Sequence, residues 1–248
     1  MNVIQISDCH LFSDIQKTGY NGVNPFQSLQ RILAEVKMHQ PDVLLVTGDI
    51  SGDGSGVSYQ HFSTLLSEAK IKCRVGVIPG NHDDQVQMQA HIIAEYLWLN
   101  SCQLTLPNQW HIHLLDTQYQ RAIGQISVTS LTSLTEYLAL HRNDYHLLAA
   151  HHHPIPCEGW MDKHEWTNRL EFNAVVEKNP SVKGVVYGHI HTAIEQQKGQ
   201  CLYMACPSTC WQFATQACFA TNNLMPGYRM ISLLKHGQMT TSVHRLEA

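Results

Sequence analysis

Charge is what this sequence has least of. Only 15% of the 248 residues are charged and the formal net charge is −4, so no basic stripe offers the footprint of a nucleic-acid binder. A phosphate-bearing ligand must then be held by something other than lysines and arginines, and metal ions are the obvious substitute. Long apolar runs are missing as well. No stretch is long enough to span a bilayer, and the strand-like segment from Val3 to Ile6 runs straight into Ser7 and Asp8. Neither a signal peptide nor a membrane contact is expected, and the expected location is cytoplasmic. No low-complexity or charge-rich linker divides the chain, which points to one domain over residues 1–248 with a full core. Cys-x-x-Cys pairs are absent too. The eight cysteines read as reduced thiols, and Cys201, Cys206, Cys210 and Cys218 as buried small hydrophobes of an apolar tail rather than a zinc site.

Histidine, by contrast, is plentiful, with 17 in the chain. The stretch that organises their placement is Val43-Leu44-Leu45-Val46-Thr47-Gly48-Asp49. Its branched apolar run reads as a strand buried on both faces, and it ends at a glycine followed at once by a carboxylate. Asp49 is thereby presented at the carboxyl edge of a sheet, where open α/β sheets place ligands. Four other places repeat the arrangement. Val3 to Ile6 leads to Asp8-Cys9-His10, whose two polar side chains face one way if the extended backbone persists. Cys73 to Ile78 leads to Pro79-Gly80-Asn81-His82-Asp83, where Asn81 offers a carbonyl oxygen and His82 an acid or hydrogen-bond donor. His146 to Ala150 leads to His151-His152-His153-Pro154, and Val182 to Tyr187 leads to Gly188-His189-Ile190-His191. The last spacing aims two imidazoles into one cleft.

Between these strands the 3.6-residue period marks helices. One follows the Asn24-Pro25 start signal, one covers Tyr59 to Ala69, and one is expected over about Gln85 to Trp98. Another contains Leu131, Leu134 and Leu138, and one runs from about Arg169 to Lys178. Alternating strands and helices make the fold class α/β. Ser51 to Gly56 reads as a flexible loop. His111 and His113 alternate with Ile112 and Leu114 inside a strand, which suggests a solvated face rather than ligands. Trp160, His164 and Trp166 are flat side chains that a nucleotide base could stack against, although for either tryptophan alone filling a local core is the expected role. From about Ala193 the tail is β in pattern, with turns at Gly199 and Gly237, and is expected to complete a second sheet.

Asp8, His10, Asp49, Asn81, His151, His189 and His191 together exceed what one ion needs and suit two divalent ions sharing a carboxylate, a pair well matched to phosphate-ester hydrolysis. The ordered set Asp-x-His, Gly-Asp, Gly-Asn-His-Asp, His-His-His-Pro and Gly-His-x-His, over residues 8 to 191, resembles the calcineurin-like metallophosphoesterase superfamily. Within it the sequence is most similar to the bacterial class III 3′,5′-cyclic AMP phosphodiesterases. That likeness is carried by Gln5 to Asp8, Gly48 to Ser51, His153 to Pro156, Trp160 with Asp162, Pro207 to Cys210 with Gln212-Phe213, and Pro226 to Arg229.

The resemblance implies a four-layer α-β-β-α sandwich with two mixed β-sheets. It implies that Asp8, His10, Asp49 and His191 hold one metal, and that Asp49, Asn81, His151 and His189 hold the other, with iron, manganese or zinc as the ions. It further implies a metal-bound hydroxide attacking a cyclic nucleotide in line, with His82 stabilising the phosphoryl oxygens or protonating the departing 3′ oxygen, and Asn81, His82 and His191 contacting the substrate. Cys9 and Thr117 stand where threonine and serine are common in the family, and neither is a ligand. His152 is left between substrate contact and surface exposure. Alternatives are a hydrolase of glycerophosphodiesters or 2′,3′-cyclic nucleotides and, less in keeping with a full ligand set, an inactive scaffold. The family includes monomers, dimers and larger assemblies, so no oligomeric state is expected in particular.

Overall fold

The computed structural model describes residues 1–92, 97–99 and 103–247, with residues 97–99 described in backbone only. In chain order the elements are β1 (Asn2–Ile6), α1 (Pro25–Met38), β2 (Val43–Thr47), α2 (Gly56–Ala69), β3 (Arg74–Ile78), α3 (Gln85–His91), β4 (Leu97–Leu99), β5 (Gln103–Leu106) and β6 (Trp110–Leu114). There follow β7 (Gln118–Gln120), β8 (Ile123–Gly124), α4 (Val128–Leu140), β9 (Tyr145–Ala149), α5 (Arg169–Lys178), β10 (Val182–Tyr187), β11 (Glu195–Lys198) and β12 (Cys201–Ala205). The chain closes with β13 (Gln212–Phe213), β14 (Thr221–Asn222), β15 (Gly227–Leu233) and β16 (Met239–Arg245).

Helices begin where capping chemistry allows. Asn24 accepts a hydrogen bond from the Gln27 amide with Pro25 in the first turn, and Ser55 and Ser127 cap α2 and α4 in the same way. The strands assemble into two six-stranded sheets, ordered β16-β15-β1-β2-β3-β4 and β11-β12-β10-β9-β6-β5. In the first, β1 to β4 are parallel and β15 and β16 antiparallel; in the second, β6, β9, β10 and β12 are parallel and the edges antiparallel.

Side-chain alternation then builds three apolar layers. Ile4, Ile6, Leu44, Val46, Val75 and Val77 pack on α1 and α2. Val3, Val43, Leu45, Ile112, Leu147 and Val186 fill the space between the sheets. Leu148, Val185 and Tyr187 meet Leu134 and Leu138 of α4 and Phe172 and Val176 of α5. The result is the expected four-layer sandwich. Because strands of both sheets run parallel, the carboxyl ends of β1, β2, β3, β9 and β10 open onto one rim.

Several expectations change. The helix expected over Gln85 to Trp98 stops at His91, and Leu97–Leu99 is instead a strand, because it can hydrogen-bond to the free edge of β3; residues 93–96 lie outside the described residues. The tail does not only complete the second sheet. β11 and β12 join that sheet, whereas β15 pairs with β1 and brings β16 into the first, since each sheet offers an open edge. Ser51 to Gly56 is a tightly bonded turn in which Asp53 accepts from the Ser13 and Ser55 amides and Ser51 Oγ from Gly54. Cys201, Cys206 and Cys210 are buried as expected, but Cys218 is exposed, and every described cysteine is a free thiol.

His111 and His113 form no solvated face either. They are 4% and 2% exposed, because β6 lies between β5 and β9 and Tyr137 of α4 covers its outer side. His113 Nε2 lies 3.0 Å from His146 Nδ1, and His146 Nε2 donates to the His141 carbonyl, so the imidazoles are satisfied without charge. Burial pushes His113 from its ordinary value of 6.5 to about 3 and His146 to about 4. Both groups take up protons more readily unfolded than folded. Their contribution to stability is complete above pH 6.5 and is lost as the pH falls from there to about 4 for His146 and about 3 for His113. The expected result is that metal-stripped protein loses stability, on the order of a few kcal/mol, over that window in urea titrations, and that His113→Leu/His146→Leu flattens the loss. An unchanged slope in the double variant would remove these two residues as the cause.

Candidate metal centre

Asp49 stands at the end of β2 with a left-handed backbone, φ 52°. Gly48 before it has φ +90°, and a side chain there would strike the His151 ring and the Gly80 backbone, so the turn requires glycine. Asp49 Oδ1 accepts the His82 amide at 2.8 Å. Its Oδ2 lies 3.4 Å from His151 Nε2 and 3.7 Å from His10 Nε2, between imidazoles delivered by different sheets.

The other expected residues converge on the same rim. His191 Nε2 is 3.4 Å from Asp8 Oδ1 and 3.1 Å from His10 Nε2. His151 Nε2 is 3.1 Å from Asn81 Oδ1 and 3.3 Å from His189 Nδ1. The Asp8-Cys9-His10 segment achieves this without the extended backbone expected of it. Asp8, His10, His189 and His191 have φ of 55°, 46°, 70° and 47°, a conformation that costs about 1 to 3 kcal/mol per residue. Cross-loop hydrogen bonds hold it in place: Asp8 N to Gly48 O, His10 N to Asp49 O, and His189 N to the Asp8 carboxylate.

Protons on the imidazoles decide what this cluster can bind. His151 Nδ1 donates to the Thr47 carbonyl at 2.8 Å and His191 Nδ1 to the Trp211 carbonyl at 2.9 Å, which in the neutral rings leaves both Nε2 atoms as lone pairs. Those lone pairs face other acceptors, namely the Asp8 and Asp49 carboxylates and the Asn81 carbonyl oxygen. Such a set wants cations. It falls into overlapping groups, Asp8 with His10 and His191, Asp49 with His151 and His189, and Asp49 with His10 and His82. His189 Nδ1, 3.3 Å from His151 Nε2, belongs to the same set. Where only protons are at hand, burial disfavours the charged form throughout. At His151 the adjacent Asp49 carboxylate outweighs it and lifts the imidazole to about 9, whereas at His10 burial wins and the value falls to about 3.

Asp83 is a residue whose role the sequence did not disclose. It is buried and accepts hydrogen bonds from the Gly80, Ile50 and Ser51 amides and the Tyr59 hydroxyl, tying the loop after β3 to the loop after β2. Burial, with Asp49 nearby, raises its carboxyl to about 6. The only local signal was its place at the end of Gly-Asn-His-Asp. His152 is not exposed: it is buried, with Nδ1 2.8 Å from Thr117 Oγ1 and its ring 4.6 Å from that of His189.

Above the rim lies a cavity of about 740 Å³, within the range of small-molecule sites. Its floor includes His10, Asp49, Asn81, His82, His189 and His191, and Trp160, His164, Trp211, Phe213, Phe219 and Tyr20 form much of its wall. Trp160 stands edge-on to Phe213 and Phe219, with centroids 4.9 and 5.0 Å away. Asp162 accepts the Cys157 and Gly159 amides and lies 3.4 Å from His153, bracing the loop that carries Trp160. Trp166 instead fills the core against Phe172. Tyr20 and Phe219 went unread, since nothing local to either links loops so far apart.

Residues 1–193 match the family model described as calcineurin-like phosphoesterase. The chain belongs to that family. It is accordingly a metal-dependent phosphoesterase, and its acceptor sets suit divalent ions. The 3′,5′-cyclic adenosine monophosphate phosphodiesterase CpdA of Escherichia coli K12 is 34% identical over 99% of this chain and 90% of its own length. The 3′,5′-cyclic-nucleotide phosphodiesterase alr5338 of Nostoc is 31% identical over 99% and 92%. In fold the chain is similar to a dimetal phosphatase from Danio rerio, with a TM-score of 0.70 at 15% identity, covering 100% of this chain and 97% of that one. Among the described residues no helix is long and apolar enough to cross a membrane.

Proposed function

We propose that this protein hydrolyses 3′,5′-cyclic AMP to 5′-AMP with a pair of divalent metal ions, for which Asp49 would be a shared ligand. The observation that carries the reading is the position of Asp49 Oδ2 between His10 and His151, at the floor of an aromatic-walled cavity. Asp8, His10, Asp49 and His191 would hold one ion, and Asp49, Asn81, His151 and His189 the other. The nitrogen-rich set is compatible with iron, manganese or zinc. When bound, the two ions neutralise charge on the phosphate and supply an activated water.

The chain's own residues do the rest. The Thr47 and Trp211 carbonyls fix the tautomers of His151 and His191. His82 is exposed, with its amide on Asp49 and its ring 4.9 Å from that of His10, so its imidazole can reach a phosphate held over the floor. In this reading water adds to phosphorus, the bond to the ribose 3′ oxygen breaks, and His82 stabilises the phosphoryl oxygens or gives that oxygen its proton. Trp160, with Phe213 and Phe219 behind it, offers a flat face to a purine. The substrate would be a small cyclic nucleotide rather than a nucleic-acid strand, in keeping with the sequence's lack of a basic stripe. The similarity to CpdA, along nearly the whole chain, supports the choice of cyclic AMP.

Manganese-loaded protein is expected to turn over cyclic AMP faster than cyclic GMP, 2′,3′-cyclic AMP or glycerophosphoethanolamine, with 5′-AMP as product by chromatography. No detectable cyclic AMP turnover beside good activity on the glycerophosphodiester would overturn the assignment.

A further inference from the structure

His111, His141 and Asp144 come together at the amino ends of β6 and β9, at the opposite end of the sheet from the catalytic rim. His111 Nε2 lies 3.1 Å and His141 Nδ1 3.0 Å from the same oxygen, Asp144 Oδ2. Three ligands come from three places in the fold: the start of β6, the residue capping α4, and the turn into β9. We propose that they form a second, peripheral site for a divalent cation of the zinc class, separate from the catalytic pair.

Geometry supports the site first. Zinc bonds of about 2.0 to 2.1 Å in tetrahedral array put ligand atoms about 3.3 Å apart, close to the two spacings to Asp144 Oδ2, and all three ligand atoms lie within 4.8 Å of one another. Ring planes are already fixed: His141 stacks on Tyr137 with centroids 4.1 Å apart, and His111 on His146 at 5.2 Å. Access is open, because the His141 side chain is 38% exposed and that of Asp144 20%. The cation would also sit at the carboxyl end of α4, where the helix dipole favours positive charge.

The proton balance closes without a partner from outside. In the metal-free protein both imidazoles donate N–H to Asp144, which keeps its carboxyl below the usual range despite the opposing effect of partial burial. Binding requires those nitrogens as lone pairs. His111 can shift its proton to Nδ1, which already lies 3.3 Å from Thr105 Oγ1 and 3.1 Å from Tyr137 Oη, hydroxyls that accept as readily as they donate. His141 can shift its proton to Nε2. Each neutral ring keeps one proton, and the divalent cation takes the place of the two N–H donors facing Asp144. Two imidazoles and a carboxylate leave a fourth position for water, a set that suits zinc better than magnesium or calcium.

Equilibrium dialysis against micromolar free zinc, followed by elemental analysis, tests the site. Wild-type protein is expected to hold one more zinc ion per chain than either His141→Ala or Asp144→Asn, whatever number the catalytic centre holds, because that number cancels in the comparison. Zinc should also raise the thermal midpoint of the wild type by a few degrees more than that of either variant, while manganese-supported turnover stays equal among the three. Asp144→Asn retains an acceptor oxygen for both imidazoles and so keeps the local fold if His141→Ala does not. Equal zinc counts and equal midpoint shifts in all three proteins, or an extra ion in the wild type only at millimolar zinc, would overturn the proposal.

Discussion

Asp49→Ala is expected to lower turnover by roughly four orders of magnitude and to strip metal from both halves of the centre. The expectation follows from its position. Asp49 Oδ2 faces an imidazole of each group, and Oδ1 holds the His82 amide, so one substitution removes an anionic ligand from both ions and a support for the residue beside them. Asp8→Ala serves as the comparison, because the Asp8 carboxylate lies beside the imidazoles of His10 and His191 and meets the other group through the His189 backbone amide rather than a ligand atom. It should cost about one ion per chain where Asp49→Ala costs about two. Elemental analysis of purified proteins, read together with near-ultraviolet circular dichroism to establish folding, makes the comparison. A folded Asp49→Ala protein that keeps two ions would end the shared-carboxylate account, even if its activity were low.

His82→Ala should separate leaving-group chemistry from metal binding. One of its ring nitrogens lies within 4.8 Å of a ligand atom of His10 and of Asp49, yet it is exposed where six of the seven expected ligands are buried and Asn81 is half-buried. The variant is expected to keep its full metal content and a KM within a few-fold of the wild type, while kcat on cyclic AMP falls by about 10² to 10³. A substrate whose leaving group needs no proton, such as bis(p-nitrophenyl) phosphate, sharpens the reading. If His82 protonates the ribose oxygen, the deficit should shrink to about tenfold on that substrate; if His82 stabilises the phosphoryl oxygens, both substrates should suffer alike. A kcat unchanged on both would remove His82 from the chemistry.

The seven expected ligands lie where their motifs put them, at the ends of five strands on one rim. They were legible because each motif is contiguous: a buried apolar run fixes a strand, and the glycine and chelating residue that follow state what the strand's end carries. Reading failed where the environment of a segment depends on a distant neighbour. Alternation at His111 and His113 looks the same whether the second face meets water or α4, and only the covering by Tyr137 decided it. Leu97–Leu99 continued a helical pattern in the sequence, yet β3 offered it a free edge.

The sequence by itself determined the α/β class, the order of the strands that carry ligands, and the identity of the groups gathered at their ends, because these are properties of short contiguous patterns. The tertiary structure alone decided the left-handed turns at Asp8, His10, Asp49, His189 and His191, the carbonyls that dictate which imidazole nitrogen is free, and the aromatic wall assembled from Tyr20, Trp160, Phe213 and Phe219. Each of these depends on contacts between residues far apart in the chain, whose solvation and hydrogen-bond partners exist only once the two sheets have packed face to face.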